Sequence, residues 1–510
     1  MRRARWFLSL AVLLLLPTSG RTAAEGDTIT IFHTNDLHAQ FLPAPATWRD
    51  DRAPIGGFRA LDEVLRRARE EAGSSIYLDA GDFMTGTPLS DLSHRGAEGG
   101  AIVEFYNGLD LDAMTIGNHE FDKPMANLRR LIGLAQFPIL GANVTDSTGA
   151  LVTGEAFRIF QVGGVRVGVI GITTEQLGTL VSDSSYEGLR ISSGSETLRR
   201  IVPEIDKDTD LIVVLSHQGI ELDRKMAEEV EGIDMIIGGH SHTRLDRGEK
   251  VNGVWIVQAG SKGYYLGRVD LVVKDDAVAG ADVRLIPAWA EGAEGSPGVQ
   301  ALVASYEERI LTEYGVVIAQ ASGRLGRCYY CESDLGNWIT DGIRAVTGAD
   351  VGLINSGTLR KDIMDGPVTK LDIQEMLPFS NYLCTFRCTG EELVAIAAHN
   401  ARAEAEESHG ILQVSGLEYG WRARDGQIDV PIVLVNGIPV DRAAMYTVAT
   451  ADYVAVAQPE KYLGIVPEDV ALAGQTLTEA IMAHVEKSGR IDPPGADRIR
   501  RVEIDYAPPK

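Results

Sequence analysis

In the first half of the chain, the residues able to do chemistry fall at the ends of apolar runs. Asp36 and His38 follow the β-branched run Thr28–Thr34, within Thr34-Asn35-Asp36-Leu37-His38. Asp82 follows Ser75–Leu78 in Gly81-Asp82, and Asn118, His119 and Asp122 follow Ala113–Ile116 in Gly117-Asn118-His119-Glu120-Phe121-Asp122. His217 comes after Val213-Val214-Leu215-Ser216; His240 and His242 come after Ile236-Ile237-Gly238-Gly239. Taken singly, a His or Asp behind a strand is a structural histidine, a turn residue or a helix cap. Jointly the reading changes, because five of the ten histidines lie in these clusters and every cluster follows a strand. In an open α/β sheet, loops at the carboxyl ends of the strands converge on one crevice. That crevice would collect two Asp, one Asn and at least three His, a donor set without thiolate that suits Zn²⁺, Mn²⁺, Fe or Co²⁺. Seven donors are too many for one tetrahedral ion and fit two ions sharing a carboxylate, with Asp82 as the bridge.

The elements that must position these residues read as follows. Further buried-strand candidates are Val165–Ile172, Leu211–Leu215, Met235–Ile237 and Val254–Gln258, mostly continuous apolar runs of the kind covered on both faces. A helix is expected from about Gly57 to Glu71, with Leu61, Val64, Leu65 and Ala68 on one face. Alternating strand and helix signals argue an α/β layered domain. Pro287–Gly298 is rich in Gly, Ala, Pro and Glu without a period and reads as a linker, its glycines allowing one domain to swing against the other. A helix from about Val299 to Tyr314 then leads to a second α+β domain. That domain opens with an amphipathic helix carrying Leu335, Trp338, Ile339, Ile343 and Val346 on one stripe.

The 510 residues suffice for two or three domains, and 45% hydrophobic with 24% charged residues is a soluble globular composition. A formal net charge of −24 argues against polymeric nucleic acid as a partner. It leaves room for a small anionic substrate, because divalent cations reverse the field inside a pocket. Arg2, Arg3 and Arg5 precede an apolar run from Trp6 to Leu16, the layout of a cleavable secretory signal and short for a membrane span. Small residues place the cut after Ala24, with a retained anchor as the alternative. Export to the periplasm or the extracellular space is expected, without stable membrane insertion after cleavage. Export also permits disulfides. Cys384 and Cys388, if on one strand, sit about 13 Å apart, too far to bridge each other. Pairing with Cys328 or Cys331 is expected, with a four-thiolate zinc site as the rival.

The order Asp-x-His, Gly-Asp, Gly-Asn-His-Glu-x-Asp, His and Gly-His-x-His resembles the calcineurin-like metallophosphoesterases. "IFHTNDLHA", "LDAGDFMTGTPLS", "TIGNHEFD", "FPILGANV", "VLSHQG" and "IIGGHSHT" narrow the likeness to the secreted 5′-nucleotidase and UDP-sugar hydrolase family. The resemblance implies a layered αββα metallophosphoesterase sandwich followed by a smaller α+β substrate-binding domain. The division is a signal at 1–24, a catalytic domain at 25–286, a linker and connecting helix at 287–315 and a C-terminal domain at 316–510. It further implies one metal on Asp36, His38, Asp82 and His242, and a second on Asp82, Asn118, His217 and His240. His119 is implied to be catalytic and unmetallated, with Asp122 orienting its ring. Hydroxide made at two ions roughly 3.5–4 Å apart would attack phosphorus in line, with His119 stabilising charge and protonating the leaving group.

"ESDLGNWITD", "INSGTLR", "LPFSN" and "LQVSG" resemble the substrate-binding domain, implying Asn355, Arg360, Phe379, Asn381 and Gly416 around the substrate. Arg360 would grip phosphate and Phe379 stack on a nucleobase. Two departures stand out. Tyr329 and Tyr330, between Cys328 and Cys331, occupy the place where the family carries an arginine. Val456-Ala457-Gln458-Pro459-Glu460-Lys461-Tyr462 replaces its Gly-Gly-Asp-Gly-Phe run, leaving Tyr462 to take the second stacking place. The expected activity is hydrolysis of nucleoside 5′-monophosphates or UDP-sugars. The rivals are a 2′,3′-cyclic-nucleotide phosphodiesterase with 3′-nucleotidase activity, another exported phosphoesterase, or a non-catalytic metal- or nucleotide-binding surface protein.

Overall fold

A computed structural model describes residues 27–181, 183–424, 427–495 and 497–502; the expected signal at 1–24 lies outside them. The main elements of the first half, in chain order, are β1 (Asp27–Thr34), α1 (Phe58–Glu71), β2 (Ser75–Asp79), α2 (Gly100–Gly108), β3 (Ala113–Thr115), α3 (Met125–Leu134) and β4 (Ile139–Leu140). They continue with β5 (Phe157–Val162), β6 (Val165–Thr173), α4 (Gly194–Ile205), β7 (Leu211–His217), α5 (Ile220–Glu229) and β8 (Met235–Gly238). β9 (Glu249–Val251), β10 (Val254–Val257), β11 (Tyr265–Val273), β12 (Val278–Pro287) and α6 (Pro297–Tyr314) complete it.

Two six-stranded sheets result, in the orders β12-β11-β1-β2-β3-β4 and β5-β6-β7-β8-β10-β9. β1 runs parallel to β2, with Ile31 opposite Ile76, and antiparallel to β11, with Ile31 opposite Val269. Period-2 alternation splits each strand between two layers. Ile29, Ile31, Ile76 and Leu78 meet Val167, Val169, Val213, Leu215 and Met235 between the sheets. Phe32, Tyr77 and Met114 face outward under Phe58, Leu61 and Phe105, while Ile170, Ile172 and Ile212 lie under Leu198, Ile201 and Met226. The rings of Phe58 and Phe105 stack at 3.7 Å, and each fully buried side chain of this size contributes about 1.5–3 kcal/mol. The architecture is the expected αββα sandwich, made of two facing sheets rather than one open sheet.

The stretch expected to be a free linker is tied down. Ala288 and Ala290 donate to Tyr264 O and Pro54 O at 2.9 Å each, and Ser296 N donates to Asp62. α6 buries Val299, Val303, Tyr306 and Ile310 in the core around α1 and α2. Backbone polar groups need partners even in Gly-rich sequence, and here the first domain supplies them.

The second half contains α7 (Asp334–Thr347), β13 (Val351–Asn355), α8 (Lys370–Met376), β14 (Tyr382–Thr389), α9 (Gly390–Glu406), β15 (Leu412–Ser415), β16 (Met445–Ala451), β17 (Ala471–Thr476) and α10 (Leu477–Ser488). A five-stranded sheet runs β15-β13-β16-β14-β17. Leu335, Ile339 and Ile343 of α7 are fully buried, as the stripe requires. The cysteine expectation is corrected. Cys328 pairs with Cys331, whereas Cys384 and Cys388 are free thiols buried on one face of β14. Both side chains point into the domain core, out of reach of the 328–331 turn, and no four-thiolate site forms. Among the described residues no helix is long and apolar enough to cross a membrane.

Candidate functional site

Four loops and the end of one strand bring the expected donors together, from both sheets. Asp36 and His38 follow β1, Asp82 follows β2 and Asn118 follows β3; His240 and His242 follow β8. His217 is the last residue of β7 rather than a loop residue. Three overlapping groups could each hold a cation: Asp36 with His38 and His242; His38 with Asp82 and His119; Asp82 with His217 and His240. The backbone is bent to make this possible. Asp36, His38, Asp82, His240 and His242 have φ of 51°, 48°, 58°, 70° and 53°, a left-handed conformation that non-glycine residues rarely adopt outside functional sites. Gly117 is a close approach: a Cβ there would run into Asp82 Oδ1 and lie 2.6 Å from His217 Nε2.

Supporting contacts present the donors with lone pairs inward. His38 Nδ1 donates to Thr85 O at 2.9 Å and His217 Nδ1 to Ala80 O at 2.7 Å, which points each Nε2 into the cluster. His38 Nε2 then stands 2.9 Å from His242 Nε2, and His217 Nε2 stands 3.0 Å from Asp82 Oδ2. Asn118 Oδ1 and His217 Nε2 are buried and make no hydrogen bond among the described residues. Burial holds His38 well below the ordinary histidine range and pushes His240 down to about 3, so both rings are neutral, the form that can bind a cation. Orphaned acceptors, converging nitrogens and two buried carboxylates fit divalent cations and fit little else.

His119 stands beside this cluster, its Nε2 3.9 Å from Asp82 Oδ2 and its Nδ1 2.6 Å from Asp122 Oδ2. Burial opposes charge on the ring, but the Asp122 and Asp82 carboxylates outweigh it and raise its pKa. Three supporting residues escaped sequence reasoning. Thr85 donates to Asp122 Oδ2 at 2.7 Å, and Asn35 donates to Asp36 Oδ2 at 2.6 Å. Glu120, 1% exposed, accepts Asp82 N and Met84 N at 3.1 Å and Gly117 N at 2.6 Å, tying two ligand loops together. A carboxylate left without a role inside Gly-Asn-His-Glu-x-Asp was the available signal for Glu120; Thr85 and Asn35 had none.

From the second domain, Arg360 reaches the cluster, its Nη2 3.3 Å from His38 Nε2. Phe379 lies 5.7 Å from the His119 ring, and Arg360 Cζ sits 5.9 Å from the Phe379 centroid. Asn355 closes β13, its Oδ1 accepting Thr358 Oγ1 at 2.6 Å. Asn381 donates to Asp452 Oδ1 at 3.3 Å. Gly416 sits at φ 70°, where a Cβ would collide with Asp350 O and Arg344. Its surroundings are thus the Arg344 side chain and a backbone carbonyl rather than the metal loops. Tyr462 is only 4% exposed, packed on Tyr453 and His409, with little ring face left for stacking.

Converging Asp, His and Asn donors on an αββα sandwich, with a carboxylate-held histidine beside them and an arginine reaching across, define a metal-dependent hydrolase of phosphate esters. Residues 29–244 match the calcineurin-like phosphoesterase family and residues 315–459 the 5′-nucleotidase C-terminal domain. The chain is 30% identical over 478 residues to "Protein 5NUC" of Lutzomyia longipalpis, spanning 82% of each chain. It is 25% identical to "Protein UshA" of Escherichia coli (strain K12), covering 88% of this chain and 89% of that one. The crystal structure of a 5′-nucleotidase precursor from Thermus thermophilus superposes with a TM-score of 0.84 at 28% identity, covering 94% of this chain and 100% of that one. The chain belongs to the family of calcineurin-like phosphoesterases that carry a 5′-nucleotidase C-terminal domain.

Proposed function

We propose that the protein is an exported two-metal phosphoesterase acting on nucleoside 5′-monophosphates, UDP-sugars or both. The observation that carries the reading is the chain of overlap of the cation-capable groups, through His38 and then Asp82, with His119 inside one of them and Arg360 at 3.3 Å from His38. Asp36, His38 and His242 would hold one ion and Asn118, His217 and His240 the other, with Asp82 shared. Bound ions supply Lewis acidity and lower the pKa of water toward neutrality. The rest falls to side chains. Asp122 holds the His119 ring through Nδ1, so the Nε2 proton is free for the phosphoryl or leaving oxygen. Arg360 offers its planar fork to the phosphoryl group, a charge-assisted contact that fixes the ester in line. Phe379, at 5.7 Å from His119, lines the side on which the leaving group departs.

The division into a catalytic domain at 25–286, a connecting segment at 287–315 and a substrate domain at 316–510 belongs to this reading. It is supported by family matches that fall within those limits at 29–244 but run to 315–459 on the C-terminal side. Export rests on Arg2, Arg3, Arg5 and the apolar run behind them. The test is metal analysis of the mature protein, followed by phosphate release from AMP, UDP-glucose, 2′,3′-cyclic AMP and an aryl phosphate after reconstitution with Zn²⁺, Mn²⁺ or Co²⁺. Two ions per chain and turnover of AMP or UDP-glucose are expected. Metal without turnover of any ester would leave a binding protein, and preference for the cyclic ester would move the activity to phosphodiesters.

A further inference from the structure

We infer that Tyr329, on the turn closed by the Cys328–Cys331 disulfide, is a specificity-determining residue that recognises a flat, aromatic leaving group. The inference deepens the proposed phosphoesterase reading and rests on it for the direction in which the leaving group lies.

The turn is built as a fixed platform. The disulfide closes a loop with only Tyr329 and Tyr330 inside it. Tyr329 O accepts Ser356 Oγ at 2.6 Å and Ile411 N at 3.1 Å, and Cys331 O accepts Gln413 Nε2 at 2.9 Å. Both ends are therefore anchored to the strands that carry Asn355 and Leu412. The two rings brace each other edge to face, with centroids 4.8 Å apart. Tyr329 also lies against bare backbone. A Cβ at Gly410 would come within 2.9 Å of its Cε2; one at Gly357 would sit 3.4 Å from that atom and 3.5 Å from Asn355 Nδ2.

Despite this anchoring Tyr329 is 49% exposed. A large aromatic held rigidly yet left half in water has paid its ordering entropy in advance, and a planar ligand gains from covering it. Its position is the right one. The ring lies against Gly357, beside Asn355 Nδ2, in the same short segment that three residues later delivers Arg360 to His38. Tyr462, the aromatic of the segment after Val456, cannot compete, because it is 4% exposed. Gln458 and Lys461 of that segment are engaged with Gly178 O and Thr179 O of the first domain, at 3.3 and 3.4 Å.

The experiment compares two probes that share a phosphate ester and differ in the base: AMP and ribose 5-phosphate. Affinity is measured by calorimetry on the metal-reconstituted full chain, beside KM and kcat. Tyr329→Ala should weaken AMP about tenfold in Kd and KM, the scale of one lost base stack, with ribose 5-phosphate shifting less than twofold. Tyr329→Phe should restore AMP binding, and Cys328→Ser with Cys331→Ser should fall between. Equal shifts for both probes, or no shift for AMP, would overturn the inference. Should no ester be turned over, the phosphoesterase reading fails, while the AMP and ribose 5-phosphate affinities still decide whether Tyr329 reads the base.

Discussion

At the scale of single residues, the donor set was legible because strands are recognisable and polar residues behind five of them cannot all be caps. What the sequence hid is conformation: nothing in its spelling puts Asp36, His38, Asp82, His240 and His242 at positive φ. Such strain costs of order 1–3 kcal/mol per residue and persists when something over-determines it. On the proposed reading that role falls to the two ions, each of which would stabilise the folded state by about 2.7 kcal/mol at a hundredfold excess over Kd. Chelation should therefore lower the unfolding midpoint of the whole chain, and adding back the divalent ion should restore it. An unchanged midpoint after verified metal loss would contradict this view of the centre. His119 is the complementary case, held by Asp122 at 2.6 Å but outside the proposed ligand set. His119→Ala should reduce kcat by about 10²–10⁴-fold while metal content, measured by mass spectrometry, stays at the unaltered value. Loss of metal together with activity would make it a ligand instead.

At the scale of elements, a short helix links local sequence to the site. α8 has seven residues, too few to be stable alone, and is started by a capping box in which Thr369 and Asp372 satisfy each other's backbone amides. Its far end matters to chemistry, because Met376 O accepts Arg360 N at 2.9 Å. Asp372 also receives Lys361 Nζ at 2.8 Å, one residue beyond Arg360. Thr369→Ala should cost about 1 kcal/mol in denaturant unfolding, with Thr369→Ser recovering most of it; no change in midpoint would mean that packing alone sets this helix. Such caps are readable in sequence, as was the core stripe of α7. The stretch from Pro287 to Gly298 was not, because composition reports how freely a chain can move and not whether neighbours bind its amides. For the same reason the cysteines were misjudged: spacing forbids a Cys384–Cys388 bridge but is silent on which way β14 faces.

At the scale of the molecule, the site exists only because two domains meet. The first domain supplies every proposed metal donor, whereas the group placed to take the phosphoryl charge, Arg360, comes from the second and lies 3.3 Å from His38. Three further contacts cross the same boundary, from Tyr453 and Lys461 to Thr179 O and from Gln458 to Gly178 O. The first-domain motifs could be read without the second domain, since their ligands are local to strand ends. The meeting of Arg360 with His38 spans 322 residues, and only the tertiary fold brings it about. On the proposed reading this arrangement separates phosphate binding from metal binding. Arg360→Ala should raise KM by roughly 10- to 100-fold, matching the 1.5–3 kcal/mol of a charged hydrogen bond, while two ions per chain remain. Arg360→Lys should recover only part of it, because a point charge cannot reproduce the planar fork. If Arg360→Ala instead lost its metal, the residue would be holding the ligand loops in shape, and the second domain would serve the centre as scaffold rather than as the hand that grips the substrate.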